Sequence, residues 1–145
     1  MNEKKKVLFI CVHNSGRSQM AEAFLDLLAG DRFQTESAGL APQNLNPHVI
    51  AVMKEIGIDL SKNKADSVFD FYKEGRLYDY VITVCDDAVE NQCPIFPGIA
   101  KRLHWPFPDP GKITGTEAEK LERVRQIRDN IKNKINSWME TLNTS

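Results

Sequence analysis

Two short runs, Val7 to Cys11 (VLFIC) and Tyr80 to Val84 (YVITV, followed by Cys85), constrain the fold more than any other feature of the chain. Both are apolar or β-branched and lack polar alternation, as required of a strand covered on both faces. Both also lead into a cysteine, which brings chemistry to the carboxyl ends of the strands.

Between and beyond these runs the pattern alternates. Ser18 to Ala29 has a helical period, with Met20, Phe24, Leu27 and Leu28 on one face and Gly30 as its stop. Phe33 to Ser37 reads as a second strand. Asn46-Pro47 supplies an N-cap and a proline at the first helical position, opening a helix through Val49, Ile50, Met53 and Ile56 that Gly57 closes. Ser67 to Tyr72 suits a short helix, and Lys101 to Trp105 a further strand. From Thr116 to about Leu142 a long amphipathic helix carries Leu121, Val124, Ile127, Ile131, Ile135 and Trp138 at helical spacing, with Thr116 and Glu119 as a capping box. Strands alternating with helices predict one α/β domain over residues 1–145, built on a parallel sheet covered on both sides. Ligands bind such sheets beyond the carboxyl ends of the strands. Cys11 and Cys85 are both placed there.

Composition excludes several classes. The chain has 145 residues, 41% of them hydrophobic, and a net charge of -1, which provides no electrostatic footprint for nucleic acid or an anionic membrane. The apolar run after Lys4-Lys5-Lys6 is too short for a signal peptide or a membrane span, so a cytoplasmic protein is expected. Three cysteines, an odd number, argue against a disulfide framework and for reduced thiols.

The segment from Cys11 to Arg17 joins strand to helix through Val12, His13, Asn14, Ser15 and Gly16. A loop of that length can turn several backbone N–H groups inward. The following helix start adds partial positive charge, and Arg17 offers a two-pronged donor, which together fit a tetrahedral oxyanion. The same field favours a negatively charged sulfur at Cys11. Asn14 and Gly16 tolerate left-handed backbone, and Ser15 or Ser18 can donate to the sulfur. Taken alone, the spacing also suits a strand-end core cysteine beside a surface arginine. Asp109 stands between Pro108 and Pro110, which stiffen the backbone and present its carboxyl as a general acid would need. His104 reads as a packing residue near Trp105.

The stretches CVHNSGRSQMAEAF, SAG at 37 to 39, LNPHVIAVMKEIGID at 45 to 59 and HWPFPDP at 104 to 110 resemble the low-molecular-weight tyrosine phosphatase fold, and within it the thioredoxin-coupled arsenate reductases. The resemblance spans nearly the whole chain in order. It implies a four-stranded parallel sheet flanked by helices, Cys11 as nucleophile, Arg17 and the loop residues Val12 to Ser18 as oxyanion ligands, and Asp109 as acid. It further implies Cys85 and Cys93 as a thiol relay, arsenate as substrate, thioredoxin as reductant, and a monomer. No organic cofactor is implied; a potassium ion held by Asn14, Glu22, Ser37 and Asp66 is. His13 stands where many relatives have glycine, and Gly16 where many have cysteine. The alternatives are a tyrosine phosphatase working through a Cys11 phosphocysteine, and a thiol or oxyanion sensor without turnover. A zinc site has no paired Cys or His spacing to support it.

Overall fold

The computed structural model describes residues 4–85, 96, 98 and 100–143. Four strands, β1 (Lys5–Cys11), β2 (Phe33–Gly39), β3 (Tyr80–Thr83) and β4 (Lys101–His104), form one sheet in the order β2-β1-β3-β4, every neighbouring pair parallel. Helices α1 (Arg17–Ala29), α2 (Pro47–Lys54), α3 (Val68–Lys73) and α4 (Glu117–Asn143) cover it. The expected α/β fold is therefore present.

Residues of β1 alternate between two cores, which is why no polar alternation is visible in it. Val7, Phe9 and Cys11 pack with Met20, Phe24 and Leu25 of α1, Val49, Val52 and Met53 of α2, and Val124, Ile131 and Ile135 of α4. Leu8 and Ile10 face the other way, onto Val68 and Phe71 of α3 with Tyr78 and Phe96. Fully burying one such large side chain contributes about 1.5–3 kcal/mol.

Helix ends follow the expected local chemistry. The Asn46 side chain accepts from the N–H groups of His48 and Val49, and Thr116 and Glu119 close a reciprocal capping box at 3.2 and 3.3 Å. Gly57 takes a φ of 83° just beyond α2, where its N–H donates to Lys54 O. Three placements need correction. Leu27 and Leu28 are 65% and 38% exposed, because α1 turns Ala21, Leu25 and Ala29 toward the sheet instead. Ile56 lies past the end of α2 and is exposed.

The chain leaves β1 for β2 on one side and returns to β3 on the other, so the sheet order switches beside β1. A crevice opens beyond the strand ends at such a point. Cys11 ends β1, and Cys85 follows the β3 extension, in which Val84 N–H donates to Ile10 O at 2.8 Å.

Candidate active site

The five residues from Val12 to Gly16 loop from the end of β1 into the first turn of α1, and a second segment keeps this loop open. Leu40, Ala41, Gln43 and Asn46 donate their backbone N–H groups to the carbonyls of Cys11, Val12, His13 and Ser15 at 2.7–3.2 Å. Carbonyls drawn outward in this way leave the loop's N–H groups for the interior, the polarity an anion requires. Gly39 permits the approach: a Cβ there would lie 2.7 Å from Asn14 N and 2.8 Å from His13 C.

Asn14 is the one described non-glycine residue with positive φ, at 51°. Its conformation is held from several sides. Gln19 Nε2 donates to Asn14 O and Oδ1, Asp66 N–H donates to Oδ1 at 2.9 Å, and Asn14 Nδ2 donates to Ser18 Oγ at 2.7 Å. Gln19 also donates to Lys64 O and accepts from Asn63 Nδ2, so the buried amide ties the loop to the segment before α3. Gln19 was not expected in this role. Gly16, expected to use left-handed freedom, has a φ of -154°. The packing around it is close, since a Cβ would meet Val49 Cγ2 at 3.2 Å and Pro110 Cγ at 3.4 Å, a fit that a small shift of the valine side chain would allow.

The Cys11 sulfur lies 2.9 Å from Ser18 Oγ and accepts from Asn14 N–H at 3.1 Å. Ser18 Oγ already accepts from Asn14 Nδ2, so its own hydrogen is directed to the sulfur. A sulfur with donors on two sides, at the start of a helix and near a guanidinium, is suited to carry negative charge as a nucleophile. Cys11 and Cys85 are both buried thiols in the same core cluster. Cys93 lies outside the described residues.

Arg17 is buried and crosses the cleft: Nη1 donates to Phe107 O at 3.1 Å, and Nη2 stands 3.8 Å from Asp109 Oδ2. Asp109 Oδ1 accepts from Gly111 N–H at 2.8 Å and caps the 3-10 turn Pro110–Lys112. Cys11, His13, Ser15, Gly16, Arg17, Asn46, Asp109 and Pro110 together line one small cleft. Val12 of the loop and Ser18 of α1 are not among the residues that line it. His104 is elsewhere, at the end of edge strand β4, with Nδ1 2.6 Å from Thr83 Oγ1.

The residues expected to hold potassium come together in part. Glu22, Ser37 and Asp66 line a separate cleft with Gln19 and Glu36, and the Ser37 hydroxyl donates to Glu22. Asn14 is not on that wall; its Oδ1 is taken up by Asp66 N–H and Gln19. Burial holds the Glu22 carboxyl above its ordinary range. The Ser37 hydroxyl partly reverses this, and the nearby Asp26, Glu36 and Asp66 carboxylates reinforce it. Among the described residues no three His, Cys, Asp or Glu side chains converge as a metal-binding group. No described helix is long and apolar enough to cross a membrane.

The model of the low molecular weight phosphotyrosine protein phosphatase family matches residues 6–145. The chain is 40% identical over 139 residues to an arsenate reductase of Bacillus subtilis (strain 168), covering 96% of this chain and 98% of that one. A solved arsenate reductase in its reduced state superposes with a TM-score of 0.76 at 32% identity, covering 95% of this chain and 98% of the other. The thioredoxin-dependent arsenate reductase of Corynebacterium glutamicum superposes at 0.65 and 32%, covering 95% and 63%.

Proposed function

The chain belongs to the low molecular weight phosphotyrosine protein phosphatase family, and on that footing we propose that it reduces arsenate to arsenite with thioredoxin as the electron donor. The observation that carries the reading is the joint placement of Cys11, Arg17 and Asp109 around one cleft, in a chain that is 40% identical to an arsenate reductase over nearly its whole length.

Arsenate enters with its oxygens toward the loop N–H groups and Arg17. The Cys11 thiolate attacks arsenic, an arsenic–oxygen bond breaks, and Asp109 protonates the oxygen that departs as water. Cys85 then attacks the Cys11 sulfur. A Cys11–Cys85 disulfide forms, and the electron pair of the broken sulfur–arsenic bond leaves with arsenic as arsenite. Cys93 attacks Cys85, returning Cys11 to the thiol and leaving a Cys85–Cys93 disulfide, which thioredoxin reduces with its own two thiols. Burial of Cys85 in the core cluster that also contains Cys11 supports the second step. In this reading the protein works as a monomer in the cytoplasm, where thiols stay reduced.

Glu22, Ser37 and Asp66 suit a potassium ion, since they provide only oxygen donors and a buried carboxyl held above its ordinary range. A bound cation would relieve the repulsion among Glu22, Glu36 and Asp66. It would also steady Asp66, whose N–H holds Asn14 in the anion loop.

A phosphatase shares the loop and the acid, so weak hydrolysis of phosphate esters is expected. The cleft does not favour it as the main activity: Trp105 and Phe107 are buried, and among the described residues no Phe, Tyr or Trp ring lines the walls to grip phosphotyrosine. The decisive assay is arsenate reduction with thioredoxin, thioredoxin reductase and NADPH, set against the same mixture without thioredoxin. Thioredoxin-dependent NADPH oxidation supports the reading. Efficient aryl phosphate hydrolysis with arsenate untouched would replace it with the phosphatase.

A further inference from the structure

Asn46 belongs to two structures at once. Its Oδ1 accepts from His48 N–H at 2.8 Å and Val49 N–H at 3.4 Å, which caps α2. Its backbone N–H donates to Ser15 O at 2.9 Å, which ties it to the anion loop. It is also part of the cleft wall, together with Cys11, Arg17 and Asp109.

The cap fixes which end of the carboxamide faces where. Two backbone N–H groups need an acceptor, so the oxygen must face the helix, and the planar amide then sends its nitrogen the opposite way. That nitrogen comes within 4.0 Å of the position a Cβ on Gly111 would occupy, so it reaches the loop that presents Asp109. A neutral donor with two hydrogens is thus held at the mouth of a cleft built for an anion.

We infer that Asn46 is a substrate-binding residue, its Nδ2 donating to an oxygen of the tetrahedral oxyanion seated over Cys11. The inference rests on the oxyanion reading of the loop and adds a ligand from outside it. Arg17 and the loop N–H groups hold the anion from one side, and Asn46 holds it from the side of Asp109. Because an amide does not give up a proton at neutral pH, Asn46 binds its oxygen without serving as the acid. Proton delivery is left to Asp109, at the oxygen that faces it.

The test separates capping from binding. Serine and aspartate both cap helices well. Asn46→Ser and Asn46→Asp should therefore melt close to the wild type without ligand, while both lose the donor. The probe is inorganic phosphate, titrated calorimetrically. One lost hydrogen bond to a charged group predicts binding about ten- to a hundredfold weaker for Asn46→Ser. Asn46→Asp should bind more weakly again, because its carboxylate faces the anion. In the reductase assay the arsenate KM should rise more than kcat falls. Wild-type phosphate affinity in either folded variant overturns the inference and leaves Asn46 a helix cap. Failure of the wild type itself to bind phosphate would overturn the oxyanion reading together with this inference.

Discussion

Arg17 Nη2 and Asp109 Oδ2 face each other at 3.8 Å, beyond hydrogen-bonding distance, although both side chains are mostly buried. Each is anchored by another partner, Arg17 by Phe107 O and Asp109 by Gly111 N–H. Both groups line the same cleft, so an oxyanion over Cys11 would meet a cationic ligand and an acid side by side. Asp109→Asn keeps the acceptor for Gly111 and removes the proton. Single-turnover formation of the arsenylated Cys11 should slow by roughly 10²- to 10⁴-fold, the range for a positioned acid. An unchanged rate would mean that another group or water supplies the proton.

Cys11→Ser should abolish arsenate reduction while leaving the fold intact. The alcohol fits between Asn14 N–H and Ser18 Oγ, yet a hydroxyl is intrinsically a far weaker acid and nucleophile than a thiol. The check is turnover together with the melting temperature. A folded mutant with wild-type turnover would remove Cys11 from the mechanism.

Gly39→Ala should weaken phosphate binding and lower stability together. The added methyl would overlap the backbone of Val12, His13 and Asn14 at 2.7–2.9 Å, where no side chain can swing aside. Overpacking of this kind costs about 1–3 kcal/mol. Phosphate titration and thermal melts of the variant read both effects, and wild-type values in both would show that the loop has slack there.

Glu22 gives a pH prediction with a definite sign. Burial raises its carboxyl in the folded state, so folding favours the protonated form. Stability is then lost as pH rises from the ordinary carboxyl range through the raised folded value. Glu22→Gln should remove that loss, gaining on the wild type across this window and holding the gain above it. Potassium should raise the wild-type melting temperature above the window and not below it. Sodium or choline at equal ionic strength should do less, and Glu22→Gln should erase the difference. Identical melting in all three salts would leave Glu22 a buried carboxyl without a cation.

The relay predicts an order of disulfides. Wild-type protein given arsenate and no reductant should stop with Cys85 joined to Cys93, Cys11 a thiol, and one arsenite released per chain. Cys93→Ser should trap Cys11–Cys85, still with one arsenite, and Cys85→Ser should release none. Peptide mapping after alkylation reads the pairs. Full thioredoxin-dependent turnover by both variants would exclude the relay.

Much of this protein was legible locally. The unbroken apolar pattern of Val7 to Cys11 and of the β3 run, the Asn46-Pro47 start, the Thr116–Glu119 box and the spacing from Val124 to Trp138 can all be read from residues within a few positions of one another. Such features are signalled by backbone sterics, caps and period, which is why they can be read before any remote contact is known. The Cys11 to Arg17 loop is of this kind, since its strand, its length and its helix start are contiguous.

What the tertiary structure alone decided depends on contacts distant in sequence. Which face of α1 is buried was settled by where the sheet and α4 lie, and so Leu25 and Ala29 went inward while Leu27 stayed in water. Gln19 binds Lys64 and Asn63, Gly39 makes room for His13 and Asn14, and the 40–46 segment draws the loop carbonyls outward. Asp109 reaches Arg17 across 92 residues of chain only because parallel strands deliver both to one end of the sheet. A sequence specifies which groups can bond, whereas the pairing of remote groups is fixed when burial makes every unsatisfied donor and acceptor costly and a single packing satisfies them together.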